Sequence, residues 1–251
     1  MADYESAYAD YSHGDYEKAF PEFLRLAEAG DMKSQFYLGS MYREGKGVAQ
    51  DYAESLRWYK KAAEQGEPKA EHNVALFYHN GISVPRDIPT AISWYEKAAA
   101  KGYIDSQKNL ALLYYKGQGT EKNLARAIMW WQKAANLGSK RAQHNLGLMY
   151  YTGQGVSQDY KLAFQWYKKA AEQGLAESQN SVGVMYHEGQ GVEKDLVEAY
   201  AWFRLAVDGG IETAKVNVSI VEAKLDEAGL ISAKKKYEIY KVRYQPVDDQ
   251  Q

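Results

Sequence analysis

The chain has 251 residues, 45% of them apolar and 25% charged, which is enough for the core of one large or two small domains. Lysine and arginine total 31 against 33 acidic residues, a formal net charge of −2, and that balance argues against a nucleic-acid-binding surface. The absence of cysteine excludes disulfides, cysteine-ligated zinc and thiol catalysis.

The N-terminus, "MADYESAYADYSHGD", alternates acids and tyrosines where a signal peptide needs a basic start and an apolar run. No stretch is apolar for long enough to span a membrane as a helix. As written, the chain is expected to be cytoplasmic; a periplasmic or secreted location follows if a leader has been removed and Met1 is an added start. Residues 1–30 predict a short helix pair joined by a tight turn at His13-Gly14-Asp15.

From residue 31 the chain repeats with a step of 36 residues. Gly153 and Gly155 stand 36 residues after Gly117 and Gly119 and 36 before Gly189 and Gly191. The same step links Trp58, Trp94, Trp130, Trp166 and Trp202, and also Gly30, Gly66, Gly102, Gly138, Gly174 and Gly210. A fixed period in the 20–50 range marks a solenoid. Five copies are delimited, at 31–66, 67–102, 103–138, 139–174 and 175–210.

Each copy predicts two helices. In residues 139–174, Ala142, Leu146, Met149 and Tyr150 form one helical stripe. Asp159 then opens a second helix with Ala163, Trp166, Tyr167, Ala170 and Ala171 on one face, and Gly174 ends it in a left-handed conformation. Asp51 with Glu54 and Asp195 with Glu198 predict capping boxes, and Pro68 suits a first helical turn. Ala62, Ala98, Ala134, Ala170 and Ala206 predict close helix approach. Beyond the last copy, a helix is predicted from about Glu212 to Asp226 or Glu227, then a break at "AGL", a basic helix "SAKKKYEIYKVRY" and a frayed tail. The whole makes about seven helix pairs: an N-terminal cap over 1–30, five repeats, C-terminal capping helices over 211–245 and a tail over 246–251.

Copies such as "AQHNLGLMYYTGQGVSQDYKLAFQWYKKAAEQG" resemble the Sel-one-like repeat, a longer-unit branch of the tetratricopeptide superfamily, over residues 31–210. Residues 1–30 are more similar to a standard tetratricopeptide unit. One copy departs from the pattern, with Ser83 where the loop's second glycine belongs. The resemblance implies an all-α right-handed superhelix of stacked antiparallel helix pairs with a concave groove. It also implies a non-enzymatic adaptor or scaffold for peptides or proteins, with many bacterial members.

Sharper chemistry finds little support in the residues. The "GQG" loops follow a helix and carry Gln50, Gln158 or Lys194 where a dinucleotide fingerprint needs a third glycine. "GSMYREGKG" has one residue too many between its glycines for a phosphate-binding loop, and no Ser or Thr after Lys46. Histidine spacing fits no zincin. Ser232 with Lys235 is the single Ser-x-x-Lys of a β-lactam-type hydrolase, without its companion motifs. No catalytic residue, metal or cofactor is therefore expected. The rival readings are a repeat-scaffold hydrolase and a homotypic structural subunit, and a monomer is the default expectation.

Ligand contacts need not recur between copies, whereas framework residues must. In tetratricopeptide-like arrays the first helix of each pair lines the concave surface. On that face the variable positions are Lys69, His72, Lys108, Arg141 and His144, with Tyr115 and Tyr151 as aromatic neighbours and Asn73, Asn109 and Asn145 as a flanking column. Cations suit carboxylates and amides bond an extended backbone both ways, so these ten residues form the candidate site for a protein segment. The asparagines have a second reading, as braces between repeats.

Overall fold

The computed structural model describes residues 3–244. Among them lie fourteen helices and no strand: α1 (Tyr4–His13), α2 (Tyr16–Glu28), α3 (Met32–Glu44), α4 (Tyr52–Glu64), α5 (Pro68–Asn80), α6 (Ile88–Ala100), α7 (Ile104–Lys116), α8 (Leu124–Asn136), α9 (Lys140–Thr152), α10 (Tyr160–Glu172), α11 (Ala176–Glu188), α12 (Leu196–Asp208), α13 (Thr213–Glu222) and α14 (Glu227–Tyr244). None is long and apolar enough to cross a membrane. The predicted tail over 246–251 lies outside the described residues.

Two compact units meet at Asn123/Leu124. Consecutive helices pack against one another from α1 to α7 in the first and from α8 to α13 in the second, where α14 packs on α12. The small positions of the second helices, Ala62, Ala98, Ala134, Ala170 and Ala206, are fully buried. Trp58 and Trp202 are buried beside them, whereas Trp94 and Trp166 are half-buried.

Aspartates start most of the second helices, and their carboxylates take the free N–H groups of the first turn: Asp51 from Ala53 and Glu54, Asp87 from Thr90, Asp159 from Leu162, and Asp195 from Val197 and Glu198. The reciprocal half of the predicted capping boxes does not form. The Asp51 and Asp195 N–H groups donate instead to the carbonyls of Tyr42 and Tyr186 in the preceding helix. Glu54 is thereby released to pair with Arg57 at 2.7 Å.

The loop glycines divide the labour. Gly153 has φ 70 and caps α9, its N–H returning to the Met149 carbonyl. Gly191 has φ 70, and a Cβ there would overlap the carbonyl oxygen of Tyr160. Ser83 adopts the same left-handed conformation, φ 54, and its hydroxyl donates to the Tyr52 carbonyl, the equivalent group one repeat back. The departure from glycine thus preserves the turn.

Past the last repeat the structure corrects the predicted elements. α13 ends at Glu222, and "AGL" is the first turn of α14 rather than a break. Asp226 accepts from the Gly229 N–H at 2.8 Å and so initiates the helix that Gly229 was expected to interrupt.

Candidate functional site

The first helices of the pairs, α3, α5 and α7 in the first unit and α9, α11 and α13 in the second, carry the candidate residues. Each residue's fate depends on what the neighbouring helix offers it.

Both histidines are held inside their units. His72 is 8% exposed, and its Nδ1 lies 2.8 Å from Oγ of the fully buried Ser106 on α7. The rings of Tyr95 and Tyr103 stand 5.5 and 4.8 Å away. Burial lowers the His72 pKa to about 4; Asp105 opposes that shift and Lys108 adds to it. His144 repeats the arrangement with Ser178 on α11 at 2.8 Å, beside Tyr167, and burial again lowers its pKa. Buried Ser106 and Ser178 are out of reach of any substrate carbonyl, so these pairs are braces and not nucleophile–base dyads.

The asparagine column splits. Burial pushes the Tyr95 phenol up to about 12, with the amide of Asn109 opposing that shift, and the Tyr95 hydroxyl lies 3.3 Å from His79 Nδ1. Asn217, at the equivalent position of α13, donates to Asn180 Oδ1 at 3.1 Å and is a brace. Asn73 and Asn145, half-buried, make no side-chain hydrogen bond among the described residues.

Among the cations, Lys108 pairs with Asp105 at 2.6 Å, and Arg141 reaches Glu177 at 3.4 Å while remaining 69% exposed. Lys69 is exposed with no ion pair among the described residues. Tyr115 is half-buried with Lys122 Nζ 5.7 Å over its ring. Tyr151 donates its hydroxyl to Gln190 Oε1 at 2.9 Å and packs on Tyr160.

Apolar surface accompanies these polar groups. In the second unit, Leu148, Tyr151, Tyr167, Asn180, Ser181 and Val184 line one depression. Val184, His187, Glu188, Phe203, Asn217 and Ile220 line the next. Leu148, Val184 and Ile220 share one position of successive first helices, and Ile220 is 42% exposed. In the first unit Leu112, at the same position, is also 42% exposed. The sequence signal available for this row is the recurrence of an aliphatic residue at 36-residue steps, Leu112, Leu148, Val184 and Ile220.

Ser232 and Lys235 lie exposed on α14, with no hydrogen bond between them. Chemically, then, the first-helix faces offer amides, a few cations and an aliphatic row. This is the equipment of a binding surface, and stacked helix pairs bearing it define an α-solenoid interaction protein. The family model of the Sel1 repeat matches residues 33–67, 68–103, 104–139, 140–175 and 176–211, and the chain belongs to that family, whose members are generally non-enzymatic scaffolds that bind proteins.

Solved structures agree. A Sel1 repeat protein from Oxalobacter formigenes is 29% identical, with 96% of this chain and 99% of that one aligned at a TM-score of 0.83. A protective antigen present in uropathogenic Escherichia coli strains, displaying an SLR fold, is 32% identical over 96% of this chain at a TM-score of 0.61. This chain spans 61% of that longer protein. No curated protein matches the chain.

Proposed function

We propose that this chain is a non-enzymatic adaptor that binds a protein or peptide segment along the faces of its first helices. The observation that carries this reading is the pairing, within one unit, of an aliphatic row, half-buried Leu148 and Val184 with exposed Ile220, lining two depressions, with the unengaged amide of Asn145. An apolar row can receive alternate side chains of a bound segment, while an amide satisfies its backbone in both directions. In the first unit, Leu112 and Asn73 supply the same two chemistries, and Lys69 adds a cation for a carboxylate on the segment.

Affinity capture from the native cell tests the proposal. Ile220→Asp together with Lys69→Glu should abolish recovery of the co-purifying polypeptide while leaving the thermal midpoint within about 2 °C, as expected of exposed positions. Unchanged capture by that variant would overturn the assignment of the surface. Turnover of small ester or lactam substrates that disappears with Ser232→Ala would favour the hydrolase reading instead.

A further inference from the structure

We propose that the outer face of α14 is a two-fold docking surface for a second copy of this chain, in place of the monomer expected from sequence. α14 spends its inner face closing the second unit. The Tyr240 hydroxyl donates to Glu198 at 3.0 Å, Lys236 Nζ lies 2.8 Å from the same carboxylate, and Tyr237 donates to Asp208 at 2.6 Å. The rings of Tyr240 and Tyr244 cover Trp202 at 5.0 and 5.3 Å. Nothing on this inner face requires the residues opposite it.

The opposite face is apolar where a solvated helix should be polar. Ile231, Ile239 and Val242 are 63%, 49% and 87% exposed. At about 100° per residue, Ile231, Lys235, Glu238 and Val242 project within roughly 60° of one another, and Ile239 borders them. Lys235, Glu238, Ile239, Val242 and Arg243 line a shallow depression along this stripe. Single exposed aliphatic residues are ordinary, but three on one helical face mark a contact surface.

The stripe is complementary to itself when reversed. About an axis between Lys236 and Tyr237, Ile231 opposes Val242 of the second copy and Lys235 opposes its Glu238. Neither Lys235 nor Glu238 makes an ion pair within the chain among the described residues, so both are available. A parallel pairing would set Lys235 against itself, which disfavours it. An isologous patch of this kind closes as a dimer. One helix face about 16 Å long falls short of the roughly 800 Å² per partner of a stable interface, so the dimer is weak and concentration-dependent.

Sedimentation equilibrium from about 10 μM to about 1 mM, the range in which so small an interface associates, tests the proposal. The average mass should rise towards twice that of one chain. Val242→Glu and Lys235→Glu should each weaken association at least about tenfold, with thermal midpoints unchanged because both side chains are exposed. Lys235→Glu with Glu238→Lys should restore it, since the exchanged charges meet again across the axis. The chain has no cysteine, so Ile231→Cys and Val242→Cys each introduce a unique thiol. A thiol crosslinker spanning about 10 Å, the separation of packed helices, should join a mixture of these two variants and neither alone. A wild type that stays monomeric throughout, a charge exchange that fails to restore association, or self-crosslinking of either single variant would each overturn the proposal.

Discussion

Nδ1 of His72 lies 2.8 Å from Oγ of Ser106, a hydroxyl fully buried on the next first helix. The pair belongs to a pattern within the chain. Where His144 takes the same position, Ser178 answers it at 2.8 Å. Where Phe36 takes it, the answering residue is Ala70, packed in the same core cluster. Where Asn180 takes it, that residue is Ala214. Each of the two imidazoles is therefore answered by a hydroxyl, as expected if burying an unpaired ring nitrogen is costly, while Ser34 keeps the column's hydroxyl in the first repeat with no imidazole to answer.

That burial makes stability depend on acid. The His72 pKa falls from 6.5 to about 4 on folding, so as pH drops the unfolded chain binds the proton first. The contribution of His72 is complete above pH 6.5 and is lost as pH falls to about 4. It amounts to roughly 3 kcal/mol over that window. Denaturant titrations at stepped pH should show this loss, and His72→Phe with Ser106→Ala, which copies the Phe36–Ala70 pair, should flatten the slope between those values.

Glu71 marks a second internal substitution. Gln35 and Gln143 donate to the carbonyls of Ala27 and Ala135, and each receives a bond from a second glutamine, Gln65 at 2.8 Å and Gln173 at 2.7 Å. At the equivalent place Glu71 meets Lys101 Nζ at 2.7 Å, and its other oxygen is buried without a partner. Lys101→Ala should cost about 2–3 kcal/mol, below the figure for a fully buried pair because solvent still reaches the lysine. Glu71→Gln with Lys101→Gln should be neutral or stabilising by about 1 kcal/mol in chemical denaturation, because it restores the glutamine pair and removes the unsatisfied oxygen.

Substitutions at the two loop glycines should differ in cost. Gly153→Ala meets the left-handed φ penalty, about 1–2 kcal/mol. Gly191→Ala adds the overlap with the Tyr160 carbonyl and should cost at least about 2 kcal/mol more. Gly191→Ser should recover part of that difference, because a hydroxyl there can donate to the carbonyl as Ser83 does to Tyr52. Thermal melts of the three variants would rank them.

Legibility followed periodicity. The helices of the repeats, the aspartate caps and the glycine turns could be read from residues 31–210 because each is a local preference repeated in register. Where the period ends, so did the reading. Gly229 looked like a breaker because its neighbour Asp226 was read as the end of one helix instead of the cap of another. In the candidate site, the variable positions of the first helices were visible, but the difference between His72, buried against Ser106, and Lys69, exposed, was not.

The sequence by itself determined an all-α repeat architecture, because a 36-residue recurrence of alanine, tryptophan and glycine leaves one way to bury each pair's apolar face: against the next pair. Only the tertiary structure decided which variable side chains are engaged within the chain. Periodicity names the face of a helix on which a residue sits, whereas its availability depends on the atom opposite it one repeat away. His72 and His144 are spent on serines and Lys108 on an aspartate, while Lys69 and Ile220 stay exposed and Asn73, Asn145, Leu148 and Val184 stay half-buried.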